Sequence, residues 1–392
     1  PMLSTGTHDA MPVMAGGAMM AGASATAGAA PVMPSPSYEG LQTPSVWRNA
    51  RTKVETLANS GMDEIEIPAF VGLVAAFSVS LSLAAHAQEK FVYLTNWFAQ
   101  AEHGGFYQAL AQGLYKKAGL DVTLRMGGPQ VNGLQLLAAG QADCYMGYDV
   151  QTMKVHEQGV RAVTVAAAFQ KDPEVMIGHP EVFKKMEDLK GKTILISSDA
   201  NTNFWPWLRS VYGLSDAQVR PYTFNVQPFI ADKNTVQQGY LSSEPYAIEK
   251  QAKFKPTALL MADHGWPPYS TTIVCMEDTV KKRPKAVAAF VKASMEGWKS
   301  YLKGDPSAAN ALIKKDNPNM TDDLIAHGIK MMNETGLVAG GDAAKMGIGI
   351  MTEERLKKTY DTMVSLKLLD PAKVDFKRTY TLEFVKNLKV MP

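Results

Sequence analysis

The side chains best suited to binding chemistry follow a short apolar run at residues 91–94. Asn96 carries an amide, Trp97 a large flat ring and His103 an imidazole. In open α/β sheets, ligands bind beyond the carboxyl ends of the strands, where loops meet the next helix. An aromatic face beside hydrogen-bonding groups suits the non-covalent binding of a small molecule. We therefore expect these three residues, with Phe106 among the surrounding aromatic residues, to line a pocket.

Each of these three residues also has a purely structural interpretation. Trp97 can pack in the core, Asn96 can cap the turn, and His103 can hydrogen-bond within its own loop. The sequence leaves both interpretations open.

Two later strand ends supply further candidates for the same pocket. Tyr148 and Asp149 end a predicted strand, although Asp149 can instead cap the next helix. Ser197, Ser198 and Asn201 open the loop after another strand. Hydroxyls and backbone N–H groups near a helix N-terminus suit an anion or a polar ring edge, and plain capping of the helix is the alternative.

Trp205 belongs to an aromatic group that opens the next predicted helix, together with Phe204 and Trp207. At helical spacing, at least one of these rings must face the core. We therefore expect only one of them, Trp205, to meet a ligand.

Charge and motif content argue against several other functions. The 392-residue chain has a formal net charge of +2 and no long basic run, which argues against nucleic-acid binding. It contains neither a G-x-S-x-G elbow nor a phosphate-binding P-loop, so we expect no enzyme and no cofactor. Cys144 and Cys275 match no zinc spacing, and either form one bridge or stay a buried pair of thiols. The histidines show no pairing that would hold a metal.

The first 87 residues differ in composition from the rest of the chain. Residues 1–60 are rich in Ala, Gly, Met, Pro and Ser, so we expect residues 1–61 to be a disordered or non-native extension. Residues 67–85 are apolar and lead into an A-x-A site, which is typical of a secretory signal peptide at residues 62–87. Acidic residues precede this apolar run where basic ones are usual, and a membrane anchor is the alternative. Cleavage would leave 392 − 87 = 305 residues, located in the periplasm.

Strands alternate with helices along the remaining chain, which predicts two α/β units with mainly parallel sheets. The predicted strands lie at residues 91–94, 120–126, 142–148, 162–169, 192–196, 239–243, 258–261 and 270–275. Residues 223–226 and the segment around residues 236–239 complete the second unit. The predicted helices lie at residues 105–117, 131–139, 150–158, 182–189, 204–212, 285–302, 305–315, 321–334 and 352–365. The second unit interrupts the first, which gives lobe 1 at residues 88–172, lobe 2 at residues 173–268, and a completion of lobe 1 with C-terminal helices at residues 269–392. Crossings near residues 170–179 and 262–272 would then act as a hinge.

Four segments carry a resemblance to a known family. They are residues 94–107, YKKAGLDV at residues 115–122, GQAD at residues 140–143 and EDLKGK at residues 187–192. In these segments the chain resembles the periplasmic binding proteins of ABC importers, in the group that binds thiamin-pyrimidine precursors, nitrate, sulfonates and taurine. The resemblance implies a type II periplasmic-binding-protein fold with two α/β lobes, two hinge segments and a helical C-terminal tail. It also implies delivery of a small-molecule ligand to an ABC permease in the inner membrane, without catalysis, and we expect a monomer.

The resemblance also implies roles for two further residues. The family often places a glutamate at the cleft where this chain has Glu244, and we expect Tyr246 to accompany it. A carboxylate makes charge-assisted hydrogen bonds with the edge of an aminopyrimidine. A surface-loop position is the alternative for Glu244.

Aromatic residues dominate the predicted cleft loops, and basic residues are scarce there. This favours a small planar heterocycle, such as a thiamin-pyrimidine precursor, over a small anion. The alternatives are a binder of nitrate, taurine or another sulfonate, and a ligand-sensing partner of a membrane receptor. A pyrimidine-synthase-like enzyme is disfavoured, because the cysteine-rich iron-binding motif of the fungal enzyme has no counterpart in this two-cysteine chain.

Overall fold

The computed structural model describes residues 88–392, which form two five-stranded sheets. The first sheet contains β1 (Glu89–Leu94), β2 (Leu120–Arg125), β3 (Cys144–Gly147), β4 (Ala162–Phe169) and β10 (Ser270–Met276), in the order β2-β1-β3-β10-β4. The second contains β5 (Glu174–Gly178), β6 (Thr193–Ile196), β7 (Val219–Pro221), β8 (Thr235–Tyr240) and β9 (Thr257–Leu260), in the order β7-β6-β8-β5-β9. The predicted fold class of two α/β lobes is confirmed, whereas the lobe boundaries stay a prediction.

Each sheet combines parallel and antiparallel strands. β1 pairs in parallel with β2 and β3, and β6 pairs in parallel with β7 and β8. β10 runs antiparallel between β3 and β4, and β5 runs antiparallel between β8 and β9. An antiparallel strand presents its first residue at the edge where its neighbour ends. Glu174 at the start of β5 therefore lies opposite Tyr240 at the end of β8.

A disulfide joins Cys144 of β3 to Cys275 of β10. The two residues are direct partners in the antiparallel register, with Cα atoms 4.2 Å apart, and both are fully buried. Of the two arrangements that the sequence left open, the structure takes the bridged one.

Helices cover both sheets. Their bounds are α1 (Gly104–Ala111), α2 (Leu114–Lys117), α3 (Gly133–Ala138), α4 (Asp149–His156), α5 (Phe204–Tyr212), α6 (Gln227–Ala231), α7 (Glu244–Ala252), α8 (Glu277–Lys282), α9 (Pro284–Lys303), α10 (Ser307–Asp316), α11 (Asp322–Thr335), α12 (Ala343–Met346) and α13 (Glu353–Ser365). Short 3₁₀ turns lie at Ala101–His103, Met186–Leu189, Asp199–Thr202, Asp216–Gln218, Met261–His264 and Phe376–Arg378. The predicted helical C-terminal tail is confirmed, since five helices lie between residues 284 and 365.

The sequence His103-Gly104-Gly105 suggests a short loop, but His103 ends a 3₁₀ turn and both glycines are helical. The turn at Ala101–His103 leads directly into α1. A β-carbon on Gly105 would lie 2.2 Å from the ring of Trp298 in α9. The glycine therefore serves the close packing of α1 against α9, instead of loop flexibility.

The C-terminal segment covers the free edge of β4. Thr164 of β4 donates its N–H to the carbonyl of Thr379 at 2.9 Å and accepts from the N–H of Thr381 at 3.0 Å. Pairing of this kind protects an edge strand from joining another chain.

Residues 170–173 and 261–269 carry the chain between the two sheets. Arg355 of α13 contacts both segments. Its Nη2 donates to the Gln170 carbonyl at 2.5 Å, and its guanidinium lies 4.0 Å from the centroid of the Tyr269 ring. The C-terminal helix α13 therefore braces the two crossings from one side.

Two predicted elements of the second lobe are corrected by the structure. Residues 182–189 contain only the 3₁₀ turn at Met186–Leu189, and β8 ends at Tyr240 where a strand over residues 239–243 was expected. Residues 223–226 form no strand, and Phe224 has a φ of +65°, which an extended strand does not allow.

The predicted extension and signal peptide lie outside the described residues. Between residues 88 and 392, no helix is both long and apolar enough to cross a membrane.

Candidate ligand-binding cleft

A cleft of about 430 Å³, partly open to solvent, lies between loops that belong to both sheets. Four of its residues come from the first lobe, after β1 and β3, and the remainder come from the second lobe. The lining consists of Asn96, Trp97, Gln100, Tyr148, Glu174, Ser197, Asp199, Ala200, Asn203, Phe204, Gln238, Gly239, Tyr240 and Glu244. The strand ends thus converge on one pocket, as the ligand-binding rule for open α/β sheets requires.

Aromatic side chains from both lobes form the walls of the cleft. The ring of Trp97 stacks on Tyr222 of the second lobe, with centroids 5.9 Å apart and planes 21° apart. The hydroxyls of Tyr148 and Tyr240 lie 2.7 Å apart and join the two lobes by a hydrogen bond. Flat rings from both sides favour a planar ligand.

Among the residues that the structure describes, three carboxyl groups line the cleft and no Lys, Arg or His side chain does. Glu174 and Glu244 are buried, whereas Asp199 is half-buried. Removal from water disfavours the charged form of a carboxyl group. The cleft therefore offers carboxyl groups that can hydrogen-bond to a ligand, and a donor or a positive charge on the ligand would favour their ionised form.

Asp199 links the second lobe to the first. Its Oδ1 accepts hydrogen bonds from Tyr145 OH at 3.0 Å and from Gln151 Nε2 at 2.8 Å. Burial raises the pKa of Asp199, and these two hydrogen bonds oppose the increase. Because both donors belong to the first lobe, Asp199 holds the lobes together.

Glu244 lies in the first turn of α7, where its carboxylate is held on both sides. Oε2 accepts from the N–H of Tyr240 at 2.8 Å, and Oε1 accepts from Tyr222 OH at 3.3 Å. Burial raises the pKa of Glu244 to about 7, and the nearby carboxyl of Glu102 adds to the increase. The Tyr240 N–H lowers it in part. Glu244 therefore fixes the loop between β8 and α7 as well as lining the cleft.

Glu174 lies among other acidic side chains. Burial raises its pKa well above the usual range, and the carboxyls of Asp172, Glu244 and Asp199 raise it further. Four acidic side chains thus meet near the start of β5.

Two further hydrogen bonds join the lobes outside the cleft lining. The N–H of Ser198 donates to the carbonyl of Pro129 at 2.8 Å, and Ser242 Oγ donates to the carboxylate of Glu102. Each pair joins the first lobe to the second. The structure therefore shows the lobes closed on each other.

Five of the twelve predicted site residues are brought together by the fold. They are Asn96, Trp97, Tyr148, Ser197 and Glu244. The N–H of Ser197 donates to Oε1 of Gln238, another residue of the lining, at 2.5 Å. Contact of these residues with a ligand stays a prediction.

Three predicted site residues lie inside the first lobe and not in the cleft lining. His103 is buried, and burial lowers the pKa of its imidazole to about 3, so the ring is neutral at physiological pH. Phe106 is fully buried, with its ring centroid 4.7 Å from that of Tyr93. Asp149 is buried at the start of α4, where Oδ1 accepts from the N–H of Val150 at 2.9 Å. Burial raises the pKa of Asp149 to about 7.

The other four predicted residues surround the cleft without lining it. Ser198 and Asn201 are exposed, and Asn201 Nδ2 donates to the Ser198 carbonyl at 3.2 Å. Trp205 is buried and donates from Nε1 to Asp216 Oδ1 at 2.7 Å. Tyr246 stacks on a histidine ring of α11, with centroids 4.2 Å apart.

Sequence reasoning missed most of the second-lobe lining, including Glu174, Asp199, Asn203 and Tyr240. The aromatic group of α5 was noticed, but Phe204 lines the cleft in place of Trp205. A usable signal existed for Glu174, since a glutamate directly before the apolar run Val175–Ile177 is an unusual start for a buried strand. The other residues carry no comparable signal in the sequence.

A model of the NMT1/THI5-like family matches residues 100–309, which is more than half of the chain. The chain belongs to this family. Residues 100–309 include most of the cleft lining, from Gln100 to Glu244. Family membership therefore applies to the part of the chain that builds the site.

Two curated relatives show distant sequence similarity. A formylaminopyrimidine-binding protein of Halalkalibacterium halodurans is 21% identical over 271 residues, which is 66% of this chain and 82% of the relative. A Haemophilus influenzae protein named for thiamine biosynthesis is 25% identical over 248 residues, which is 61% of this chain and 77% of the relative.

Solved structures share the fold. A protein from Bordetella bronchiseptica superposes with a TM-score of 0.60 at 15% identity, covering 77% of this chain and 97% of that protein. The periplasmic aliphatic sulphonate binding protein of Escherichia coli gives a TM-score of 0.54 at 15% identity, covering 74% and 91%. At this identity the similarity establishes the type II binding-protein fold and not the ligand.

No group of three or more His, Cys, Asp or Glu suited to a metal is found between residues 88 and 392.

Proposed function

We propose that this protein is an extracytoplasmic solute-binding protein that delivers a small planar heterocycle to an ABC importer. The observation that carries the proposal is the cleft lining, with three carboxyl groups, four aromatic rings and no basic side chain. The aromatic rings of Trp97, Tyr148, Phe204 and Tyr240 suit a flat ring system. The carboxyl groups suit its amino and ring N–H groups.

The same lining disfavours nitrate, taurine and other sulfonates. A small anion in a buried site needs fixed cationic or amide donors, and like charges at close range are repulsive. Here an anion would enter beside Glu174, Asp199 and Glu244, and the described lining offers it amide side chains but no Lys, Arg or His. This lining therefore favours a planar heterocycle over a sulfonate.

The curated relatives support a thiamin-pyrimidine-precursor-like ligand. One relative is named for binding a formylaminopyrimidine, and the other is named for thiamine biosynthesis. An aminopyrimidine is a planar ring with N–H donors, which is the chemistry that the cleft accepts. Sequence identities of 21% and 25% leave the identity of the ligand to experiment.

The mechanics of delivery follow from the two-lobed fold. Two chain segments connect the sheets, and contacts between Asp199 and the first lobe close the cleft between them. A hinge motion that opens these contacts would admit the ligand, and closure would present the loaded lobes to a membrane permease. A monomer located in the periplasm fits this role.

A thermal-shift and calorimetry screen of the purified protein tests the proposal. Because a ligand that binds only the folded protein raises the melting temperature, a shift is expected with thiamin-precursor aminopyrimidines. Taurine, an alkanesulfonate and nitrate serve as comparison ligands. A shift with these anions alone would replace the proposed ligand class by the sulfonate alternative.

A further inference from the structure

Among the described residues of the cleft lining, two fully buried side-chain polar atoms have no hydrogen-bond partner within the protein. They are Glu174 Oε1 and Asn203 Oδ1, and both residues are only 2% exposed. Each of the other two lining carboxyls, those of Asp199 and Glu244, accepts two hydrogen bonds from neighbouring protein groups. Within residues 88–392, the Glu174 carboxyl has only the Tyr148 hydroxyl as a protein donor, and its Oε1 is unpaired. A buried acceptor without a donor is destabilising. We therefore expect a bound ligand to donate hydrogen bonds to these two atoms.

The backbone fixes the position of Glu174. It opens β5 opposite Tyr240, and its N–H donates to Asp172 Oδ1 at 3.3 Å. Asp172 is itself held, since Trp266 donates from Nε1 to its Oδ2 at 2.8 Å. The carboxyl of Glu174 is thus presented to the cleft from a rigid strand end, which favours precise ligand recognition.

The groups that face Glu174 are acidic or neutral. Asp172 lies on the same segment, Asp199 on the 3₁₀ turn after β6 and Glu244 on α7, while Tyr148 and Tyr240 present hydroxyls. Burial together with the three carboxyls raises the pKa of Glu174 well above its usual range. A positive charge or a pair of strong donors on the ligand would reverse this effect, because either one favours the carboxylate.

We propose that Glu174 is the principal ligand-binding carboxylate, and that the ligand presents to it an amino group beside a protonated ring nitrogen. Such an amidine-type edge forms two parallel charge-assisted hydrogen bonds with a carboxylate, as the fork of an arginine does. Asn203 Oδ1 takes a further donor of the same ligand. The inference rests on the proposed function and adds to it the carboxylate that binds the amino-bearing edge and the positive charge of the bound ring.

A matched pair of ligands tests the donor requirement on the full-length protein. The probes are 4-amino-2-methylpyrimidine and 2,4-dimethylpyrimidine, which have similar size and differ in the amino group. Calorimetry should show the amino compound binding at least about 10-fold more tightly, because a charge-assisted hydrogen bond is lost with the methyl compound. Equal affinities would overturn the inference and leave the proposed planar-ring binding in place.

The Glu174→Gln variant tests the residue. We expect a loss of roughly 10- to 100-fold in affinity for 4-amino-2-methylpyrimidine. Affinity for 2,4-dimethylpyrimidine and the melting temperature of the unliganded protein should not fall, since the amide keeps the shape and removes a buried acid. Glu181→Gln, at an exposed position, is the matched control and should bind like the wild type.

The outcomes separate the inference from the proposed function. Wild-type affinity in Glu174→Gln overturns the inference, even though pyrimidine binding itself stands. If the wild-type protein binds neither pyrimidine, the proposed function fails first. Should Glu174→Gln not fold, Glu174→Asp keeps the charge but shortens its reach, and an unchanged affinity in that variant would count against direct contact.

Discussion

The buried carboxyl of Glu244 predicts a measurable dependence of stability on pH. Its pKa is raised from 4.5 to about 7 in the folded protein, mainly because of burial. An acid with a higher pKa in the folded state binds more protons when folded at pH values between the two pKa values. Its stabilising contribution is complete below about pH 4.5 and is lost as the pH rises through about 7.

The Glu244→Gln variant isolates this contribution. The amide retains an acceptor for the N–H of Tyr240, which now bonds to Oε2, and cannot ionise. A difference of about 2.5 pKa units corresponds to at most about 3.5 kcal/mol at roughly 1.4 kcal/mol per unit. The unliganded variant should therefore exceed the wild type in melting temperature at pH 8.5 by several degrees. At pH 5 the advantage should fall to about a quarter, because the unfolded carboxyl is still largely ionised there.

Thermal unfolding of the unliganded protein at pH 5 and pH 8.5 checks this prediction. Glu181→Gln removes an exposed carboxyl and reports the effect of changing one surface charge. A Glu244→Gln advantage that is the same at both pH values, or that is larger at pH 5, would refute the assignment of a raised pKa to this carboxyl.

Three further perturbations follow from the contacts between and within the lobes. Tyr148→Phe removes the hydrogen bond between the Tyr148 and Tyr240 hydroxyls across the cleft. Ligand affinity, measured by calorimetry, should fall roughly 2- to 10-fold, while the melting temperature of the unliganded protein should change little. Arg355→Lys should destabilise the protein by about 1–2 kcal/mol, measured by urea unfolding. Lysine cannot donate to the Gln170 carbonyl and stack on the Tyr269 ring at the same time, as arginine does. An unchanged unfolding midpoint would show that α13 does not brace the crossings. Reduction of the disulfide between β3 and β10 should lower the stability of the folded protein by about 2–5 kcal/mol. Urea unfolding with and without dithiothreitol measures the difference. Identical unfolding curves would show that the disulfide does not stabilise the protein.

Much of the fold could be predicted from the sequence because hydrophobic periodicity marks strands and helices directly. β4 is a buried run of eight residues, and α9 carries a regular apolar face after Pro284. The corrected elements are those that tertiary contacts decide. Gly105 resembles a loop residue in sequence, but it is needed for helix packing against Trp298.

The site could be predicted only where residues follow parallel strands. Trp97, Tyr148 and Ser197 come directly after such strands or close behind them, and the rule for open sheets places them correctly beside the cleft. Glu174 stands at the start of β5, which reaches the same edge because it runs antiparallel to β8. Strand direction is set by pairing across the sheet, so a local pattern cannot show it.

The central claim is that the acidic, aromatic cleft selects an amino-bearing planar ring over an anion. Calorimetric titration of the wild-type protein with 4-amino-2-methylpyrimidine and with taurine, under the same conditions, tests it most directly. The structure predicts saturable binding of the pyrimidine and none of taurine, because the lining contains three carboxyl groups and no basic side chain. Saturable binding of taurine without binding of the pyrimidine would contradict the claim.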